Sequence, residues 1–80
     1  MAIRIEIDRD SDAAYVYFLP ETEAKLSLKS VPVNADFVID YTKDRKLFGL
    51  EILRLSALDI DCLKDLEIYD VTGGNIKKLN

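Results

Sequence analysis

Through the first two thirds of the chain, apolar residues recur at every second position. Ile3, Ile5 and Ile7 alternate with Arg4 and Glu6, and Ala24, Leu26 and Leu28 alternate with Lys25, Ser27 and Lys29. A period of two belongs to strands that turn one face to a core and the other to water. Between these runs, residues 13–19 are apolar on both sides, with Ala14, Val16 and Phe18 on one and Tyr15, Tyr17 and Leu19 on the other. The polar run from Asp8 to Asp12 reads as a turn before that strand, and Pro20 ends it because proline cannot donate to a ladder. After Ser30 the apolar positions change parity, to Val31 and Val33 around Pro32, as expected of a bulge or a strand end.

Two further strands, 36–41 and 46–53, flank Thr42-Lys43-Asp44-Arg45. Pairing Tyr41 with Lys46 sets Ile39 opposite Phe48 and Phe37 opposite Leu50, gathering the large apolar groups on one face. It leaves Asp36, Val38, Asp40, Leu47, Gly49 and Glu51 on the other. The connection suits a type I turn whose last residue, Arg45, is left-handed. Ser56 and Asp59 resemble a capping box, predicting a short helix over 57–65 packed on the Phe37, Ile39, Phe48, Leu50 and Ile52 face. Alternation returns over 67–71, and Thr72-Gly73-Gly74-Asn75 is a turn signal before the tail. The expected class is α+β: a small antiparallel β-meander of about five strands (near 3–7, 13–19, 24–29, 36–41 and 46–53), one short helix, and a short C-terminal strand near 67–71. Whether the tail pairs with that strand stays open.

Eighty residues fit one domain. Such a chain buries roughly 60–65% of its unfolded surface, so its core is small. No histidine is present, which removes the commonest general base and metal ligand, and the single cysteine, Cys62, has no internal partner for a disulfide. No apolar run approaches the length of a membrane span, and the N-terminus carries no hydrophobic signal region, so a cytoplasmic protein is expected. The formal net charge is −4, and the cations are scattered: Lys25 and Lys29, then Lys43, Arg45 and Lys46, then Lys77 and Lys78. An acidic chain with dispersed cations is a poor partner for nucleic acid, and a basic protein suits it better.

Asp12-Ala13-Ala14-Tyr15-Val16-Tyr17-Phe18, with Phe37-Val38-Ile39-Asp40-Tyr41 and Gly49-Leu50-Glu51-Ile52-Leu53, resembles the small bacterial and archaeal proteins grouped as domain of unknown function 2283. The resemblance covers residues from about Ile3 to Ser56. It implies a compact antiparallel sheet with a small helix and supplies no activity. It also admits an antitoxin-like role, as a partner that neutralises a small basic toxin. Two positions depart from the family pattern: Arg45 stands where the family has glycine, and Ala14 where it has leucine.

Few residues here suit chemistry. In the chosen register Asp36 faces Glu51, with Asp40 one pleat repeat along, and three carboxylates could offer oxygen ligands to Mg²⁺ or Ca²⁺. A solvated polar face paired by Lys25, Lys29 or Arg4 explains them more simply, so no metal and no cofactor is expected. Asp8, Asp10 and Asp12 have the opening spacing of a calcium loop but lack its glycine and its closing glutamate, and turn capping accounts for them. Cys62 reads as a small buried hydrophobe and Ser56 as a cap, since no base stands beside either. Gly73-Gly74 lacks the rest of a phosphate-binding loop. No nucleophile–base pair emerges, and a carboxylate-based, metal-dependent enzyme is the remaining catalytic alternative. Tyr15, Tyr17, Leu19, Val38 and Leu47 form the candidate interface, a second partly apolar face that one short helix cannot cover. The leading expectation is therefore an interaction module that forms a homodimer.

Overall fold

The computed structural model describes residues 3–20, 22 and 28–80. Five strands form one antiparallel sheet: β1 (Arg4–Asp8), β2 (Ala13–Tyr17), β3 (Lys29–Pro32), β4 (Phe37–Tyr41) and β5 (Leu47–Ile52). Their order is β1-β2-β5-β4-β3, and a separate two-stranded ladder joins β6 (Tyr69–Asp70) to β7 (Lys77–Lys78). The tail thus returns to pair with the short C-terminal strand. Gly73 and Gly74 turn the chain between them at φ of 68° and 82°, which glycine adopts without penalty. Most of the strand expected over 24–29 lies outside the described residues, and β3 begins at Lys29 and runs through Pro32. Proline is tolerated there because β3 is an edge strand.

The sheet is not a simple meander. The β1–β2 hairpin and the β3–β4–β5 run meet where β2 pairs with β5, so the chain passes from the sheet's interior to its far edge between β2 and β3. An interior place suits β2, the strand that is apolar on both sides.

The β4–β5 register also differs from the expected one. Phe37 lies opposite Ile52 and Ile39 opposite Leu50, with a bulge between Asp40 and Tyr41 that brings Tyr41 opposite Leu47. The turn is the cause. Thr42 N donates to Lys46 O at 2.9 Å and Arg45 N to Thr42 O at 2.9 Å, so Thr42 and Lys46 close a three-residue loop. Arg45 sits there at φ 63°, the left-handed conformation expected from the sequence. The bulge absorbs the remaining residue, Phe48. Its ring moves from the Phe37 and Ile39 face to contact Tyr15 and Tyr17 on the other.

No α-helix occurs among the described residues. Residues 57–65 do not form one; the chain makes two 3₁₀ segments, Leu55–Ala57 and Ile60–Asp65, and Leu58 after the first is extended. Ser56 is not available as a cap. Its N and Oγ both donate to the Asp12 carboxylate at 2.8 Å, and Leu55 N donates to Asp12 O at 2.7 Å. Asp12, itself at φ 54°, thereby pins this segment to the β1–β2 turn. Leu55 and Leu58 pack on Ala14, Ile52, Phe37, Val16 and Leu50, a cluster in which Ala14, Ile52 and Leu55 are buried and the rest half-buried.

Candidate functional site

The two faces of the sheet follow from the register, since residues directly opposite in neighbouring strands share a face. Arg4 and Glu6, Tyr17 and Tyr15, Gly49 and Glu51, Asp40 and Val38, and Ser30 and Pro32 line one face from β1 to β3. Ile5, Ile7, Val16, Leu50, Ile39 and Val31 belong to the other.

The first face is closed by its own contacts. Asp40 is buried, and its carboxylate accepts from the Tyr15 hydroxyl and, at 2.5 Å, from Ser30 Oγ. To reach Asp40 across β5, the Tyr15 ring must lie over Gly49. A β-carbon at that glycine would fall 2.7 Å from Tyr15 Cζ, so no larger residue fits without displacing the ring. Tyr15 packs on Tyr17 with centroids 4.6 Å apart, and Phe48 meets both rings at 6.3 and 5.9 Å. Desolvation by burial, followed by the Asp40 hydrogen bond, pushes the Tyr15 hydroxyl well above its ordinary pKa. The Arg4 guanidinium lies 5.7 Å from the Tyr17 ring centre. Hydrogen bonding from Tyr17, aided by Arg4, holds the Glu6 carboxyl below its usual range.

The second face is open. Among the described residues, Leu55 and Leu58 pack over Ala14, Ile52, Phe37, Val16 and Leu50. Ile5 and Val31, on the two edge strands, are each 38% exposed, high values for aliphatic groups on a sheet's apolar side. At the corner by the β4–β5 turn lies a groove of about 480 Å³, lined by Leu28, Val31, Tyr41 and Thr42 together with the cations Lys29, Lys43 and Arg45. None of these three cations forms an ion pair among the described residues.

The candidate residues are distributed differently from the expectation. Asp36 does not face Glu51, whose cross-strand partners are Val38 and Tyr15. Asp36 instead accepts two hydrogen bonds from Arg54, both at 3.1 Å, which hold its pKa below the ordinary value. Asp40 is occupied by hydroxyls. No group of three or more acidic, cysteine or histidine side chains among the described residues could hold a metal ion. Asp8 Oδ1 caps its own turn by accepting from Asp10 N at 3.0 Å. Of the candidate interface, Tyr15, Tyr17 and Val38 lie half-buried on the closed face, and Leu19 is half-buried just past β2. Leu47, 41% exposed, lies opposite Tyr41 and so on the open side. The cationic groove went unread in the sequence. Its one signal was the cluster Lys43, Arg45 and Lys46 in an otherwise acidic chain.

These features define a small antiparallel β-sheet domain whose internal polar residues fix one face and whose apolar face stands open. Residues 4–56 match the family Protein of unknown function (DUF2283), and the chain belongs to that family. No curated protein and no solved structure matches the chain. The match spans the whole sheet and stops at the Asp12–Ser56 contact. The quoted sequence blocks thereby acquire structural meanings: Asp12 anchors the segment after β5, Tyr15 and Asp40 bridge β2 and β4, and Gly49 makes room for that bridge. Among the described residues, no helix is long and apolar enough to cross a membrane.

Proposed function

We propose that this protein is a small interaction module that works as a homodimer through the open apolar face of its sheet. The observation that carries this reading is the amount of surface left uncovered. A compact monomer of 9.1 kDa exposes about 4,900 Å², whereas this chain exposes 6205 Å². Its radius of gyration is 14.5 Å, against about 12 Å for a compact domain of this length. The excess, about 1,300 Å², exceeds the roughly 800 Å² that each partner buries in a standard interface. Ile5, Ile7 and Val31 of the open face stand 38–42% exposed, and exposed aliphatic groups favour association over simple solvation. The closed face makes a poorer candidate, because Tyr15 and Tyr17 already spend their rings and hydroxyls on Asp40, Glu6, Arg4 and Phe48. A single unpaired cysteine fits a reducing, cytoplasmic setting. Sedimentation equilibrium of the intact chain tests the reading: a dimer at micromolar concentration is expected, and a monomer throughout would refute it.

A further inference from the structure

We propose that the cationic groove at the β4–β5 turn receives the acidic segment Asp65–Asp70 of a second copy, so that the two chains exchange their C-terminal arms. This deepens the homodimer reading and rests on it.

Three observations carry the assignment. The first is the chemistry of the groove. Leu28, Val31 and Tyr41 give it apolar lining, and Lys29, Lys43 and Arg45 add three cations that form no ion pair among the described residues. Such a site fits an extended strip in which apolar and acidic side chains alternate. The second is the arm. Asp65-Leu66-Glu67-Ile68-Tyr69-Asp70 is a strip of that kind, and every residue from Lys64 to Asn80 is exposed. Leu66 is 53% exposed and Ile68 41%, so the arm buries neither of these side chains against its own sheet.

The third is charge. Between Asp59 and Asp70 the chain carries five acids and one lysine, which accounts for its entire formal charge of −4. The remainder is neutral overall, with its groove rim positive. Within the arm Asp65 forms no ion pair among the described residues, and Glu67 has only an exposed pair with Lys78 at 3.7 Å, so arm and groove are complementary in both polarity and charge. The left-handed conformation of Arg45 belongs to the same pattern. A β-carbon is disfavoured there and glycine would fit freely, yet the position holds an arginine that lines the groove.

Charge exchange between two separately purified chains tests the proposal. One variant carries Lys29→Glu with Lys43→Glu, and the other carries Asp65→Lys with Glu67→Lys. All four positions are exposed, and thermal melts establish that both variants fold. Each variant alone places like charges at both contacts and should self-associate at least about tenfold more weakly than the parent chain. Mixed, they present opposite charges at both contacts, and a heterodimer should form with near-parental affinity. A parent dimer with both variants still fully dimeric would overturn the arm exchange while leaving the homodimer reading intact. Variants that dissociate but gain nothing on mixing would also overturn it, because an arm closing on its own groove predicts that result. A monomeric parent would refute both.

Discussion

The two faces of this sheet differ in where their side chains find partners. On the tyrosine face, the buried Asp40 carboxylate takes hydrogen bonds from Tyr15 and Ser30, the Tyr15 ring lies over Gly49, and Tyr17 and Phe48 pack against it. On the aliphatic face, Ala14, Ile52 and Leu55 are buried, and Ile5, Ile7 and Val31 on the two edge strands stay 38–42% exposed. Polarity alone would have suggested the reverse, with the face carrying more polar groups turned to water. The difference teaches that a polar side chain can close a surface when its partners lie within the same sheet, whereas an apolar side chain needs something laid across it.

That contrast breaks first at Phe48, the most buried aromatic on the closed face at 2% exposure. Phe48→Ala should cost about 3–5 kcal/mol, enough to unfold most molecules of so small a domain, as measured by urea denaturation. Truncating Ile5, already 38% exposed, should cost far less in the monomer. Equal losses at the two positions would mean that the faces are not distinct.

Tyr15→Phe probes the polar bridge. It keeps the ring over Gly49 but leaves the buried Asp40 short of one donor, for a loss of about 1–3 kcal/mol. The pH dependence has a definite sign. The Tyr15 pKa is raised in the folded state from its ordinary 10.0, so the contribution is complete below that pH. It declines as pH rises further, because the unfolded chain sheds its proton first. The variant should lack that part of the alkaline loss of stability. Identical alkaline profiles would separate Tyr15 from Asp40.

The smallest effect belongs to the turn. Arg45→Gly should stabilise the monomer by a few tenths to about 1 kcal/mol, because glycine relieves the left-handed φ while loosening the unfolded chain. The same change removes one rim cation, so stability should rise as self-association weakens. A loss of stability would show that the Arg45 side chain supports the hairpin itself.

The strand content was legible because alternation is a local signal, and Arg45 was legible because a turn's chemistry is local too. The β4–β5 register was not, since a bulge at Phe48 can be recognised only once Tyr15 and Tyr17 are known to lie across from it. The β2–β5 pairing was equally hidden, though a lone glycine within a strand is a general sign of close approach, and Gly49 was that sign. Ser56 and Asp59 suggested a helix by proximity, but Asp12, 44 positions earlier, claims Ser56. The three carboxylates illustrate the same limit. A register error placed Asp36 beside Glu51, when Arg54 and the hydroxyls of Tyr15 and Ser30 are the groups that occupy Asp36 and Asp40.

In the proposed dimer the aliphatic face, and not the tyrosine face, joins the two copies. Light scattering on Ile5→Glu and Tyr17→Glu, beside the parent chain, compares the two surfaces directly. A charge at Ile5 would be buried unpaired in the dimer, so Ile5→Glu should be monomeric and folded. Tyr17→Glu should weaken the fold, yet its folded fraction should remain dimeric. A dimeric Ile5→Glu together with a folded, monomeric Tyr17→Glu would place the interface on the tyrosine face instead.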